Sequence, residues 1–219
     1  MVDYKKQKSF FQKAYNLGEK RVAAGYGWPL SVDPEVVRLF KLIKPSLKDA
    51  KVLDIGCGQG RHTFFFAEQG VESYGIDYIA RSIEEAGEQA KSKKLKNAHF
   101  QVMDLLNLDF PKDFFDIVLD WSVLDHIHPD EWQTYLQNIL KVLKIGGYLV
   151  LTEFDANDSR ISNKKENYRL DRGSYDHYFR EDELRKVFLK NFTFVEVTET
   201  ELGTPPPHLM INILAKRKF

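Results

Sequence analysis

The chain is expected to form an α/β fold: a doubly wound, mostly parallel seven-stranded sheet with helices on both faces and a C-terminal antiparallel hairpin. Three observations carry this expectation. From Lys51 to Thr152, short apolar runs alternate with stretches of helical periodicity, the pattern left by a parallel sheet with crossover helices. Further on the alternation stops, and two strand-like runs follow one another without a helix between them, so they pair most simply as antiparallel neighbours. Directly after the first apolar run stands a glycine-rich turn containing Gly56, Gly58 and Gly60. Glycines there permit a tight turn and let a ligand approach the backbone.

The first ~50 residues read as helical and aromatic. Phe10, Phe11, Ala14 and Leu17, then Val36, Val37, Leu39, Phe40 and Ile43, recur at helix-like spacing. Phe10, Phe11 and Phe40 read as core. The segment from Gly25 to Pro29 breaks the pattern, and Asp33-Pro34 predicts an N-cap with proline in the first helical position. The strands are expected at Val52–Ile55, Ser73–Ile76, His99–Val102, Phe115–Leu119, Tyr148–Thr152, Phe192–Thr200 and Leu209–Lys216. Helices are expected at His62–Gln69, Arg81–Lys93, Asp130–Leu143 and Asp182–Leu189. Residues 155–174, rich in Asn, Asp, Arg and Lys, read as a long mobile insertion, a candidate lid or binding element. Residues 1–48 then form a helical cap or lid, and residues 49–219 a ligand-binding domain.

Composition narrows the function classes. The 219 residues include 43% hydrophobic and 29% charged side chains, a globular balance sufficient for one core. No apolar stretch approaches the ~18–20 residues of a membrane span, and the N-terminus has no secretory signal pattern. A soluble cytoplasmic protein, monomer or homodimer, with no membrane partner is the expectation. Lys+Arg and Asp+Glu both count 32, so the general electrostatic drive toward nucleic acid is absent and no nucleic-acid partner is expected. Cys57 is the only cysteine, which excludes an intrachain disulfide framework and a multi-cysteine zinc site.

The turn has the spacing G-x-G-x-G rather than the G-x-G-x-x-G that seats a dinucleotide pyrophosphate on a helix N-terminus. Asp54, two residues before Gly56, would repel a pyrophosphate and pair with an ammonium group. Together these weigh against NAD and for a cofactor with a cationic end. Asp77 closes the second strand 17 residues after Gly60, near the ~20 expected of a ribose-binding acid; it is alternatively a helix cap. Asp104, after the third strand, is placed to accept from an adenine amino group or to cap a turn with Leu105.

The segments Val52–Gly60, Gly75–Asp77, Met103-Asp104, Phe115–Asp120 and Leu140–Val150 resemble, in order, the motifs of class I S-adenosylmethionine-dependent methyltransferases. The resemblance covers about residues 35–217 and includes the terminal hairpin that separates this fold from dinucleotide-binding relatives. Gly60-Arg61-His62-Thr63 followed by Phe64–Phe66 is similar to the small-molecule subset of thiopurine, tellurite and thiocyanate type. The resemblance implies S-adenosyl-L-methionine as cofactor and S-adenosyl-L-homocysteine as product. It implies Asp54, Gly56, Gly58 and Gly60 at the methionine end, Asp77 on the ribose hydroxyls, and Tyr78 against the adenine. Asp104 and Leu105 would meet the adenine edge, with backbone around Asp120, Trp121 and Ser122 near the amino group.

Methyl transfer from a sulfonium needs alignment and exclusion of water, and a base only for a protonated nucleophile. His126, after the fourth strand, is the candidate base because imidazole titrates near neutrality; it equally reads as packing and capping the next helix. His126, His128, Asp125 and Asp130 supply metal-ligand types, but the reading is that no metal is used. His177 and Tyr178 are candidates for the acceptor side of the pocket, and Tyr15, Tyr26, Trp28 and Trp121 for its aromatic lining. A small-molecule methyl acceptor is the leading expectation. Protein or nucleic-acid methylation, and a non-catalytic cofactor-binding module, are the alternatives. After the fourth strand stands Asp120-Trp121-Ser122-Val123, not the Asn/Asp-Pro-Pro-aromatic tetrapeptide of amino-methylating DNA enzymes.

Overall fold

The computed structural model describes residues 4–17, 20, 29, 31–44, 49–159, 161, 167–171, 173–203 and 207–219. The strands are β1 (Lys51–Ile55), β2 (Glu72–Asp77), β3 (Ala98–Val102), β4 (Phe115–Trp121), β5 (Leu143–Phe154), β6 (Tyr168–Asp171), β7 (Ser174–His177), β8 (Phe192–Leu202) and β9 (His208–Arg217). The helices are α1 (Tyr4–Asn16), α2 (Pro34–Ile43), α3 (Arg61–Glu68), α4 (Ala80–Ser92), α5 (Trp132–Val142) and α6 (Glu181–Phe188). Seven strands form one sheet in the order β3-β2-β1-β4-β5-β9-β8. The first five run parallel, and β9 joins antiparallel to both β5 and β8. This is the expected doubly wound sheet with its terminal hairpin.

Period-2 alternation assigns each strand residue to a face. Leu53, Ile55 and Val118 point into a core closed by Tyr135, Leu136 and Ile139 of α5 and by Leu184 and Phe188 of α6. Val52, Ile117 and Leu119 point the other way, onto Val36, Leu39, Phe40 and Ile43 of α2 and Phe66 of α3. Burial of such side chains contributes roughly 1.5–3 kcal/mol each before entropy is counted. The N-cap forms as expected: Asp33 accepts the Glu35 N–H at 2.7 Å, and Pro34 opens α2.

Three features depart from expectation. Helix α5 begins at Trp132, because Pro129–Glu131 close a separate 3-10 turn. β5 begins at Leu143 and runs through the Gly146-Gly147 pair, with a register shift between Phe115 and Ile117 of β4. The segment expected to be wholly irregular contains β6, which pairs antiparallel with β7 as a separate two-stranded sheet. Among the described residues no helix is long and apolar enough to cross a membrane.

Candidate active site

Right-handed crossovers bring the carboxyl ends of β1, β2, β3 and β4 to one edge of the sheet, and a cavity of about 1100 Å³ opens there. Asp54, Gly56, Gly58, Asp77, Tyr78, Asp104, Leu105, Trp121, Ser122, His126 and Tyr15 all line it. Gly60, Asp120, His177 and Tyr178 do not. Tyr26 and Trp28 lie outside the described residues.

The glycines shape the floor. Gly56 and Gly58 have φ of +61° and +54°, a region side chains rarely enter. A Cβ on Gly56 would stand 2.5 Å from Val123 Cγ2, and one on Gly58 2.5 Å from the Tyr15 hydroxyl. Gly60 supports the turn from behind, against the Phe100 ring, and initiates α3.

The carboxylates are buried and held by donors. Asp54 accepts the Thr63 N–H at 3.0 Å and the Thr63 hydroxyl at 2.7 Å; burial pushes its carboxyl up to about 7. Asp77 accepts Gly58 N–H at 3.0 Å and Ile79 N–H at 2.7 Å, and burial raises it to about 6 against those two bonds. Both Thr63 donors meet Asp54 Oδ2, so its Oδ1 keeps acceptor capacity, whereas each Asp77 oxygen carries one donor and retains room for a second. Asp104 is exposed and caps the 3-10 turn Leu105–Asn107 by accepting Leu106 N–H at 2.9 Å. Trp121 donates Nε1–H to Asp33 at 2.9 Å, and the Arg61 guanidinium lies 4.0 Å over its ring. His62 also lines the cavity; burial holds it neutral, and its Nε2 accepts the Asp33 N–H at 3.3 Å.

His126 stands on the cavity wall between two acids. Its Nδ1 is 2.9 Å from the Tyr175 carbonyl and 3.3 Å from Asp176 Oδ1, and its Nε2 is 3.5 Å from Asp125 Oδ1. Because Nδ1 meets only acceptors, it carries a proton. Burial alone would disfavour the cation, but Asp125, Asp176 and the Tyr175 carbonyl outweigh it and raise the imidazole to about 9. The shift differs from an imidazole poised near neutrality: these neighbours favour the imidazolium at pH 7.

Behind it Asp120, Asp125 and Glu153 are fully buried together. Tyr135 donates to Asp120 at 2.6 Å, Ser122 to Asp125 at 2.6 Å, and the Asp125 N–H to Glu153 at 3.0 Å. Burial and the neighbouring Asp120 and Asp125 push Glu153 well up, so it is held as the neutral acid. Asp120 also accepts the Val123 N–H at 3.0 Å, fixing the turn that follows β4. Its place is under the wall, not on it.

His177 and Tyr178 lie off the cavity. Tyr178 stacks on Phe154 with ring centroids 5.3 Å apart, and His177 sits 3.1 Å from Glu183 and edge-on to Trp132 at 5.0 Å. Both face α5, α6 and β5 rather than the cavity. Among the described residues no group of three or more His, Cys, Asp or Glu is arranged to hold a metal.

The sequence reading named a cap and Tyr15 as its lining, but not Tyr4, Lys8 or Phe11. Tyr4, Lys8, Phe11 and Tyr15 of α1 all line the cavity. Phe11 had read as core, yet its ring stands 4.9 Å from His126 and 6.5 Å from Tyr78. Lys8 Nζ lies 5.5 Å over Tyr78. The signal was present in the spacing, since these four positions recur on one helical face. Partially apolar faces are ambiguous between core and ligand without the fold.

The sheet order, the glycine turn and the acids at the strand ends define a Rossmann-like fold of the S-adenosylmethionine-dependent class. The chain belongs to the methyltransferase domain family, whose pattern it matches over residues 46–196. A tRNA N(3)-methylcytidine methyltransferase of Schizosaccharomyces pombe is 26% identical over 206 residues, covering 85% of this chain and 64% of that protein. The chain thus spans just under two thirds of that relative's length. The crystal structure of 1,6-didemethyltoxoflavin-N1-methyltransferase of Burkholderia thailandensis, with bound 1,6-didemethyltoxoflavin and S-adenosylhomocysteine, is 25% identical with a TM-score of 0.76. It covers 97% of this chain and 87% of its own. A SAM-dependent methyltransferase of Methanosarcina mazei is 27% identical with a TM-score of 0.72, covering 87% of this chain and 100% of its own.

The residues present fit S-adenosylmethionine. The cradle at Gly56 and Gly58 would be filled by any Cβ, and the buried acids at the strand ends suit hydroxyl and ammonium donors rather than phosphate.

Proposed function

We propose that the protein transfers the methyl group of S-adenosyl-L-methionine to a small-molecule acceptor, releasing S-adenosyl-L-homocysteine. The observation that carries the small-molecule reading is the roof: α1 lies across the cavity with Phe11 against both Tyr78 and His126. A covered, aromatic-lined space suits an acceptor that can be enclosed.

In this reading Asp54 takes the ammonium group, directly or through water, and Gly56 and Gly58 offer backbone contact at the methionine end. Asp77 accepts the ribose hydroxyls, Tyr78 packs on the adenine, and Asp104 and Leu105 meet its edge. Trp121 and Ser122 close the methionine end, with Asp120 holding their turn in place. The sulfonium of the cofactor supplies an activated methyl. Helix α1 is the lid: it excludes water and sets the acceptor against the cavity wall. His126 is the general base in its neutral form: near pH 9 Nε2 loses its proton while Nδ1 keeps its own, and Nε2 is then free to accept the proton of the acceptor.

A second reading, methylation of RNA, is favoured by the relative that modifies tRNA and by α1, which carries Lys5, Lys6, Lys8 and Lys13 and no acid. One experiment separates them. Tritiated S-adenosylmethionine is offered with pools of small phenols, thiols and amines in one arm and total tRNA in the other. Label in the first alone supports the proposal; label in the tRNA arm alone replaces it.

A further inference from the structure

Gln7 is a buried polar side chain on the cavity face of α1, and both ends of its amide are used. Its Nε2 donates to the His126 carbonyl at 2.8 Å, and its Oε1 accepts the Tyr175 N–H at 3.2 Å. Tyr175 in turn accepts His126 Nδ1 through its carbonyl at 2.9 Å. The three hydrogen bonds close a ring: Gln7, the His126 backbone, the His126 imidazole, the Tyr175 backbone, and back to Gln7. Its three supports, α1, the 3-10 turn Leu124–His126 and β7, are separated in sequence by more than a hundred residues between α1 and the turn.

We propose that Gln7 is the positioning residue for His126, so that the imidazole is set on the cavity wall only when α1 is docked. The inference rests on the reading of α1 as the lid and of His126 as a group of the acceptor side. A glutamine amide is suited to this, because it supplies one donor and one acceptor in a fixed plane. The buried partners left behind would each lose a hydrogen bond. The charged groups facing the imidazole are Asp125 from its own turn and Asp176 from β7, with Phe11 of α1 against the ring. Freeing the Tyr175 strand moves both the carbonyl and Asp176 away from Nδ1, which favours the neutral ring.

The test follows the imidazole directly in protein labelled with 15N-histidine and saturated with S-adenosylhomocysteine, so it needs no acceptor. In Gln7→Leu the His126 titration is expected to fall by at least about half a pH unit. In Gln7→Glu, which keeps the acceptor for the Tyr175 N–H, most of the native midpoint is expected to remain. Midpoints that coincide in wild type and Gln7→Leu, with the fold confirmed by circular dichroism, overturn the proposal. Equal falls in both variants also overturn it, since the Tyr175 contact would then carry no positioning. If Gln7→Leu does not fold, Gln7→Glu decides alone: its imidazole must keep Nδ1 protonated, as read from nitrogen shifts, or the ring is not the cause. A separate result, unaltered turnover in a His126 variant, would instead strike the catalytic reading and leave the coupling standing.

Discussion

Replacing Asp77 with Asn tests whether the acid at the end of β2 is kept for a ligand or for the fold. In the ligand-free protein, burial raises this carboxyl to about 6 from its ordinary 3.8. At ~1.36 kcal/mol per pH unit, the gap costs the charged form about 3 kcal/mol at neutral pH. The folded state therefore binds this proton more tightly than the unfolded chain. On this group alone stability is full below pH ~4 and is lost as the pH rises through about 6. Asn removes that cost but must set an NH₂ group against one of two backbone donors, Gly58 N–H or Ile79 N–H. A donor left unmet there costs about 1–3 kcal/mol. The two effects nearly cancel, so the melting temperature at pH 7.5 should move by only a few degrees. Cofactor affinity should not escape so lightly. Losing charged acceptors for two ribose hydroxyls is expected to weaken S-adenosylhomocysteine at least tenfold, about 1.4 kcal/mol. In wild type the same affinity should fall as the pH drops through about 6, where Asp77 takes its proton. Calorimetric titration and thermal melts on both proteins read all of this. Unchanged affinity in a folded Asp77→Asn variant would remove the ribose role, and affinity independent of pH between 5 and 8 in wild type would refute the charge argument.

Gly58→Ala puts a methyl 2.5 Å from the Tyr15 hydroxyl at a φ of +54°. The strained backbone costs roughly 1–2 kcal/mol, α1 is displaced, and S-adenosylhomocysteine affinity measured by calorimetry drops at least tenfold. With the true acceptor, kcat should rise with pH around a midpoint near 9, where His126 loses its proton. His126→Asn should abolish that limb while leaving cofactor affinity within about threefold; a limb that persists in the variant would return His126 to a packing role. Tyr178→Phe should keep turnover within about twofold of wild type, because the ring stacks on Phe154 away from the cavity; a tenfold loss would place it in the reaction. Dialysis against a chelator should leave methyl transfer intact, and activity lost and then restored by magnesium or zinc would overturn the metal-free reading.

How much of this was legible in the sequence depends on the range of the interaction. Strands such as Val52–Ile55, and Asp33-Pro34 as a helix start, are local: apolar alternation and a side-chain cap are written within a few residues. The Gly56–Gly60 turn was legible because three alternate glycines mark a backbone of positive φ with no room for a Cβ. His126 and His177 show where local reading stops. Both are histidines beside aromatic and acidic neighbours, and nothing within ten residues tells them apart. The fold does, because it sets His177 against Trp132 and Glu183 and sets His126 between Asp125 and Asp176. Asp176 reaches His126 only because β6 and β7 pair, in a stretch whose polar composition reads as loop. That hairpin is held by what it docks on, since Tyr175 bonds both Gln7 and His126. The protonation state of His126 is thus a property of three segments that share no sequence signal. A proton on Nδ1 follows from the Tyr175 carbonyl and the cation from two acids; Asp125 comes from the same turn, but the carbonyl and Asp176 reach His126 only once β7 has closed on it.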